Sequence, residues 1–296
     1  MHYGHFSSFV SSLLFVVLLT SAVPGQQQPP VQPQAPFQLN QIESAFLDQV
    51  LLNWENQSGK IETFRCPFER WEYNPVFGPS MQIPFSKDFG EISFQKPDKA
   101  SFQITQVNRL ENPPAANQGQ PVTPQQAKWI PQSNIVGEHY VCDGKNVYEY
   151  RHDQKQLMVR PIPQDMQGQA IVDGPLPFLF GAKAEKLKQR YWLKVQDQPD
   201  ATQIWLLAFP KFQSDKANYN QVRLSLDRAS MMPRAMEMHL PDKSRQTYIF
   251  DLGKVSVNAP FQKLKNLFQA PRTPFGWKRI VENNVRQASQ HKPTSR

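Results

Sequence analysis

Apolar residues recur at every second position in three stretches of the second half of the chain, at 222–227, 236–240 and 248–252. A β-strand with this period places all of these apolar side chains on one face. Three such strands in succession predict an antiparallel sheet that is covered on one side only.

Six further strands are predicted earlier in the chain, at 63–73, 91–95, 101–107, 138–142, 146–151 and 156–160. The dipeptide Asp143-Gly144 separates two of them and is a strong signal for a hairpin. The sum is a large antiparallel sheet of roughly ten strands, and a sheet of that size tends to curl. The predicted fold class is therefore mainly β with few helices (α+β).

Two helices are predicted beside this sheet. In the first, apolar residues recur every three or four positions, at Leu39, Ile42, Phe46, Val50 and Trp54. Asn40 and Glu43 fit a capping box at its start, and Gly59 is a natural stop just beyond it. A second, short helical stretch at 182–188 follows the Pro-flanked apolar segment 176–180.

The N-terminus has the pattern of a cleavable secretory signal. An apolar run from Phe9 to Leu19 is too short to span a bilayer, and small residues follow it, so cleavage is expected after Ala22 or Gly25. An uncleaved N-terminal anchor is the alternative. We therefore expect residues 1–25 to be a signal peptide and the protein to be exported to the periplasm or cell envelope.

The rest of the chain divides into a linker, one domain and a tail. Residues 26–36 are a Gln/Pro tract that suits an extended linker. Residues 37–270 form the predicted domain, and the polar segment 108–134 is expected to be an insertion on its surface. Residues 271–296 form a basic C-terminal tail.

The formal net charge of +8 invites a nucleic-acid function, but its distribution argues against one. The tail holds six basic residues and one acidic residue, a net of +5, which leaves +3 for all the rest. The tail predicts peripheral contact with anionic lipid or cell-wall polymer, and a solvated, frayed terminus is the alternative. No nucleic-acid partner is expected.

Residues that could support catalysis or bind a metal are few. Four histidines follow the predicted signal peptide, none in a known ligand spacing, and the chain has no nucleophile elbow or Gly-rich phosphate loop. We expect no catalytic residues, no metal and no cofactor. Cys66 and Cys142 are either a disulfide or two buried, inert thiols.

Several segments resemble the LolA-type lipoprotein carriers of the bacterial envelope. They are FRCPF at 64–68, GEISFQKPDKASF at 90–102, CDGKNVYEY at 142–150, LPFLF at 176–180 and FQAP at 268–271. The segment 175–192 also resembles a family of uncharacterised exported bacterial proteins of that fold. The resemblance implies an unclosed antiparallel β-barrel, or half-barrel, with an N-terminal amphipathic helix and a short helical lid.

The resemblance further implies an apolar cavity that takes up acyl chains. The candidate lining residues are Phe64, Phe68, Ile92, Phe94, Phe102, Ile104, Val222, Leu224, Met236, Met238, Tyr248 and Phe250, with Phe178, Leu179 and Phe180 on the lid. An arginine before a proline holds the lid closed in the carriers, and here Lys96 occupies that position before Pro97. Apolar stripes on strands are more often ordinary core, and that alternative applies to each lining residue.

The predicted function is that of a non-enzymatic envelope protein that binds a lipid, a lipoprotein acyl chain or another apolar ligand. The alternative is a sensor or interaction module on the same fold, which would act through contacts with an envelope protein partner.

Overall fold

The computed structural model describes residues 34–76, 78–111, 127–168, 178–179, 183–196, 200–260 and 265–282. The predicted signal peptide, most of the Gln/Pro linker, the centre of the 108–134 insertion, Phe180 and the last part of the tail lie outside these residues.

The described residues contain fifteen strands, all in one sheet, and three α-helices. The strands are β1 (Thr63–Tyr73), β2 (Ser86–Gln95), β3 (Lys99–Gln106), β4 (Asn108–Leu110), β5 (Trp129–Pro131), β6 (His139–Asp143), β7 (Asn146–Arg151), β8 (Gln156–Pro161), β9 (Tyr191–Gln196), β10 (Gln203–Pro210), β11 (Gln221–Asp227), β12 (Pro233–His239), β13 (Arg245–Phe250), β14 (Ser256–Val257) and β15 (Lys278–Val281). The helices are α1 (Gln41–Gly59), α2 (Ala184–Arg190) and α3 (Gln213–Lys216).

The sheet is open. Its strands follow the order β15-β8-β7-β6-β3-β2-β1-β13-β12-β11-β10-β9, with β14 beside β1, and β4 between β2 and β5. Neighbouring strands run antiparallel except for β15, which lies parallel to β8. Because β9 and β15 stand at opposite ends of this order, the barrel does not close, and the predicted half-barrel is confirmed.

The sheet curls toward one face, which we call the inner face. The rings of Phe102 on β3 and Tyr248 on β13 lie 6.4 Å apart between centroids. Strands β2 and β1 separate β3 from β13, so a flat sheet would put the two backbones roughly 14 Å apart. The inner face is therefore concave around these rings, and helix α1 packs into the same hydrophobic cluster.

Helix α1 begins at the capping box that the sequence predicts. The Asn40 side chain accepts from the backbone N–H of Glu43 at 2.9 Å, and the Glu43 carboxylate accepts from the Asn40 N–H at 2.8 Å. These two bonds satisfy amides that have no partner in the first turn. The helix then runs to Gly59, five residues beyond the predicted stretch.

The apolar face predicted for α1 is partly wrong. Ile42 is 82% exposed and Phe46 is 41% exposed, whereas the buried residues are Leu47, Val50, Leu51 and Trp54. The prediction followed steps of four residues, and each such step drifts by about 40° around a helix with 3.6 residues per turn. Residues separated alternately by four and three positions stay on one side of the helix. Leu47, Leu51 and Trp54 have this spacing and face the sheet.

Two segments expected to lie outside the sheet join it. The ends of the predicted 108–134 insertion form β4 and β5, where Leu110 is buried and the Trp129 indole N–H donates to the Pro84 carbonyl at 3.0 Å. Pairing between β4 and β5 satisfies the backbone hydrogen-bonding groups of these segments. The sequence did not predict this pairing. Likewise, residues 278–281 of the predicted tail form β15 on the edge of β8.

A second, smaller core lies on the outer face of β6, β7 and β8. Val141, Tyr148, Leu157 and Val159 form it, and all four are buried. The guanidinium of Arg279 on β15 lies 5.5 Å from the centroid of the Tyr148 ring. This contact and the backbone pairing hold the C-terminal strand to the sheet.

Cys66 and Cys142 are both free and buried. Cys66 on β1 pairs with Ile92 on β2, while Cys142 on β6 pairs with Ala100 on β3. Two strands therefore separate the cysteines, and a disulfide tolerates only about 7 Å between Cα atoms. Of the two alternatives, the structure has two buried thiols and no disulfide between them.

We expect both thiols to resist modification in the folded protein. Burial raises the pKa of Cys66 to about 12 and also raises the pKa of Cys142, so little thiolate forms near neutral pH. A thiol reagent should label neither cysteine in native buffer and both in denaturant without reductant. Labelling of neither in denaturant would instead show that the pair is oxidised.

Candidate functional site

The predicted lining residues lie together on the inner face. Eleven of the twelve are buried members of one hydrophobic cluster, and Phe102 is half-buried and packs against it. They come from strands β1, β2, β3, β11, β12 and β13, which are neighbours around the curled part of the sheet. The alternation in the sequence thus identified one continuous apolar surface.

A small cavity remains in this surface. Its volume is about 20 Å³, and it is lined by Phe68, Ile92, Phe102, Leu179, Met236, Tyr248 and Phe250. A cavity of this size is on the order of the space for one water molecule, whereas small-molecule pockets usually occupy about 300–1,000 Å³. Among the described residues, the cavity enclosed by these side chains is therefore too small for such a ligand.

The predicted lid residues fill part of that space. Phe178 is buried, and its ring centroid lies 4.9 Å from that of Tyr191. The Tyr191 hydroxyl lies 2.7 Å from the Tyr219 hydroxyl, which anchors this aromatic group to the start of β11. Leu179 borders the cavity directly. Phe180 lies outside the described residues.

Lys96, the predicted latch, contacts helix α1. Its Nζ donates to the carbonyl of Gly59, the last residue of the helix, and lies 3.3 Å from a carboxylate oxygen of Glu62. A cation at a helix C-terminus interacts favourably with the helix dipole and with carbonyls that lack a partner. Lys96 therefore tethers α1, and the Phe178–Leu179 segment is held by apolar packing.

Two further contacts join α1 to α2. The Glu55 carboxylate accepts from the backbone N–H of Ala184 at 2.9 Å, and the Lys188 ammonium lies 2.6 Å from the Asp48 carboxylate. A surface groove of about 560 Å³ lies between the two helices, lined by Asp48, Leu52, Ala184, Glu185, Lys188, Gln189 and Lys211. This groove is separate from the apolar cavity on the inner face.

The apolar surface ends at a buried charge, Arg70, two residues beyond Phe68 on β1. Its guanidinium donates to Asp88 at 2.9 Å and to Glu138 at 2.7 Å, and it lies 3.4 Å from Glu72. Burial alone would lower the pKa of Arg70, but these acidic neighbours outweigh it and raise that pKa. Arg70 therefore stays charged inside the half-barrel.

Asp88 is the acceptor at the centre of this polar cluster and is completely buried. It accepts from the Ser86 hydroxyl at 2.5 Å and from the Asn108 backbone N–H at 3.2 Å, in addition to Arg70. Arg109 supplies a second cation 3.3 Å away. The carboxylate thus has enough donors to offset its loss of water.

Burial also acts on two neighbours of Arg70. It raises the pKa of Glu72, and it raises the pKa of Tyr248 to about 12. The phenol of Tyr248 is therefore neutral near pH 7 and lines the cavity with its ring. The arrangement combines an apolar interior with one polar end.

The alternation of apolar residues in the sequence did not predict this polar end. Arg70 and Glu72 follow Phe64, Cys66 and Phe68 on β1 at a spacing of two. This spacing alone predicts that both side chains lie on the inner face. Their partners could not be predicted from the sequence, because Asp88 lies in the part of β2 that was not predicted and Glu138 follows the 108–134 insertion.

Within the described residues, no group of three or more His, Cys, Asp and Glu side chains is arranged to hold a metal ion. Among the helices in that part of the chain, none is both long and apolar enough to cross a membrane.

No family model matches the chain, and no curated protein sequence matches it. One solved structure with a similar fold is an uncharacterized conserved protein from Thermus thermophilus. It is 9% identical to this chain with a TM-score of 0.39, and the alignment covers 79% of this chain and 98% of the other chain. A LolA superfamily protein from Nitrosomonas europaea is 9% identical with a TM-score of 0.33, over 76% of this chain and 97% of its own. The Mycobacterium tuberculosis lipoprotein LppX is 9% identical with a TM-score of 0.36, over 73% and 97%.

We expect Gly90→Ala to destabilise the fold, because the Phe68 ring packs directly on Gly90. An added Cβ would lie 2.6 Å from the Phe68 ring and 2.5 Å from the Gln103 carbonyl oxygen. The expected loss in the free energy of unfolding is about 1–3 kcal/mol, measured by urea denaturation. Gly59→Ala is the matched control, since nothing lies within 4 Å of that Cβ, and it should unfold at the same urea concentration or slightly above.

Asp88→Ala should cost about 3–5 kcal/mol, because it leaves Arg70 buried without its central partner. The control is Glu91→Ala, which removes a partly exposed ion pair with Arg65 at 2.8 Å and should change the free energy of unfolding by less than about 1 kcal/mol. Equal effects of the two substitutions in urea denaturation would show that the polar cluster is not tightly buried.

Proposed function

We propose that this protein binds an apolar ligand, such as a lipid or a lipoprotein acyl chain, on the inner face of the half-barrel in the cell envelope. The observation that carries the proposal is the apolar cavity between Phe68, Met236 and Leu179, where five neighbouring strands and the lid segment meet. The chain fills this surface in the closed form, so a ligand would replace part of that filling.

The inner face has the chemistry that such a ligand needs. Moving an acyl chain from water to an apolar surface is favourable by about 0.8 kcal/mol per methylene group. Met236 and Met238 provide unbranched, flexible side chains that suit ligands of variable shape. The polar cluster around Arg70 marks where the apolar surface stops, so the ligand's apolar part would lie on the Phe68 side.

The elements that cover this face are held in ways that allow displacement. Two ion pairs lie at α1, Lys188 with Asp48 on the helix and Lys96 with Glu62 just beyond its end. Their side chains are 32–68% exposed. Exposed pairs of this kind contribute about 0–1 kcal/mol each. Most of the energy that holds α1 and Leu179 is therefore apolar contact, which a bound acyl chain would replace in kind.

A second candidate function is that of an interaction module without a ligand. It is favoured by the small size of the cavity and by the apolar residues that α1 exposes, Ile42, Phe46 and Leu52. In this case the inner face is ordinary core, and a protein partner would contact the outer side of α1.

Native mass spectrometry of protein purified from its own envelope separates the two candidates. An acyl mass that copurifies and is lost on Met238→Arg supports ligand binding, with circular dichroism to show that the variant is folded. Protein of exactly the polypeptide mass, with no saturable uptake of a fluorescent polyene fatty acid, would refute ligand binding and leave the interaction module.

Leu179→Ala should increase the affinity for the same fatty acid probe by about tenfold, because the ligand no longer has to displace the leucine side chain. The measurement is a fluorescence titration with folded protein. The control is Leu52→Ala, which truncates a leucine that is 57% exposed on the outer side of α1 and should leave the dissociation constant unchanged. Unchanged affinity in Leu179→Ala would place the probe away from the cavity.

A further inference from the structure

A tight turn at 274–277 projects one aromatic side chain fully into solvent. The Trp277 backbone N–H donates to the Pro274 carbonyl at 3.0 Å, and Gly276 has a φ of +76°, as the third residue of a type II turn requires. Phe275 occupies the tip and is 105% exposed. Glycine is needed at 276 because other residues strain at this φ.

The turn is firmly attached behind this tip. The Trp277 ring packs edge-on against His152, with 5.0 Å between centroids, and lies 6.1 Å from the Tyr150 ring. The next residue, Lys278, begins β15, and its N–H donates to the Lys155 carbonyl at 2.9 Å. Phe275 therefore projects from a supported base.

Four exposed cations lie near the tip in the chain or on the turn that adjoins it. Arg272, Lys278 and Arg279 flank it in the chain, and Lys155 lies on the adjoining β7–β8 turn. Among the described residues 152–155 and 271–282, the acidic ones are Asp153 and Glu282, and Glu282 is paired with Arg160 at 2.8 Å. The local charge around Phe275 is therefore clearly positive.

We propose that the 274–277 turn is a contact site for an anionic lipid surface, with Phe275 inserted at the level of the headgroups and the four cations above it. An exposed aromatic side chain beside several basic residues is the combination that favours the interface of an anionic membrane. The proposal goes beyond ligand binding on the inner face, which the turn does not touch.

A lipid surface fits this turn better than a protein partner does. A stable protein interface buries about 800 Å² on each side, and one ring at the tip of a four-residue turn offers much less. A bilayer needs no complementary pocket, because its headgroup region yields to a single inserted side chain. The positive charge also requires a surface of negative charge, which anionic lipids supply.

The test is cosedimentation of the exported chain with vesicles, either equimolar phosphatidylcholine and phosphatidylglycerol or phosphatidylcholine alone. The expected result is binding to the anionic vesicles only, weakened by salt. Phe275→Ala should lower the partition coefficient about tenfold, and Phe275→Leu should restore most of it. The matched control is Phe212→Ala, at a phenylalanine that is 52% exposed beside Lys211 and should not affect binding.

Three results would overturn the proposal. The first is equal binding of the wild type and Phe275→Ala. The second is equal binding to both kinds of vesicle. The third is binding that survives Phe275→Ala but is lost when Arg286 and Lys292 are both changed to glutamine, which would assign the contact to the part of the tail that follows residue 282. Because Phe275 is fully exposed, its variants should keep the circular dichroism spectrum of the wild type.

Discussion

An open sheet with one apolar face must have that face covered, and this constraint organises the whole domain. The curl brings side chains from β3 and β13 into contact across two intervening strands, which removes part of the surface from water. Helix α1 and the Phe178–Leu179 segment cover most of what remains. The cover is mainly apolar contact, so its stability comes from the same effect that would bind a ligand. Closure and ligand binding are thus alternative ways to satisfy one requirement.

The polar cluster around Arg70 makes one end of the inner face chemically different from the other. On one side of it, Phe68 and its neighbours offer hydrocarbon and aromatic surface; on the other, Glu138 reaches solvent with about half of its side chain exposed. A buried arginine with several carboxylates tolerates very little rearrangement, because each lost contact leaves a charge in a poorly solvated place. We therefore expect this end of the half-barrel to rearrange less readily than the elements that pack through apolar contacts.

The alternation of apolar residues predicted the inner face and nine of the fifteen strands in the described residues, since a period of two determines which side chains share a face. Strands β9 and β10, at one end of the sheet, were not predicted. Strand β1 was predicted at its observed bounds. Prediction failed where a second element decided the outcome. The buried side of α1 depends on the sheet beneath it, which selected Leu47 and Leu51 over Ile42 and Phe46. Asp88 became a buried acceptor through Arg70 and Asn108, which come from other strands, and β15 formed because β8 offered it an unpaired edge.

The parallel pairing of β15 with β8 protects one edge of the sheet. Strand β15 carries two cations and covers the edge of β8, and edges without such cover are templates for association between sheets. A protease cut before Trp277 would remove both the strand and the ring that supports it on His152, and β8 would become the new edge. Strand β15 therefore covers an edge of β8 that could otherwise pair with a second copy of this protein.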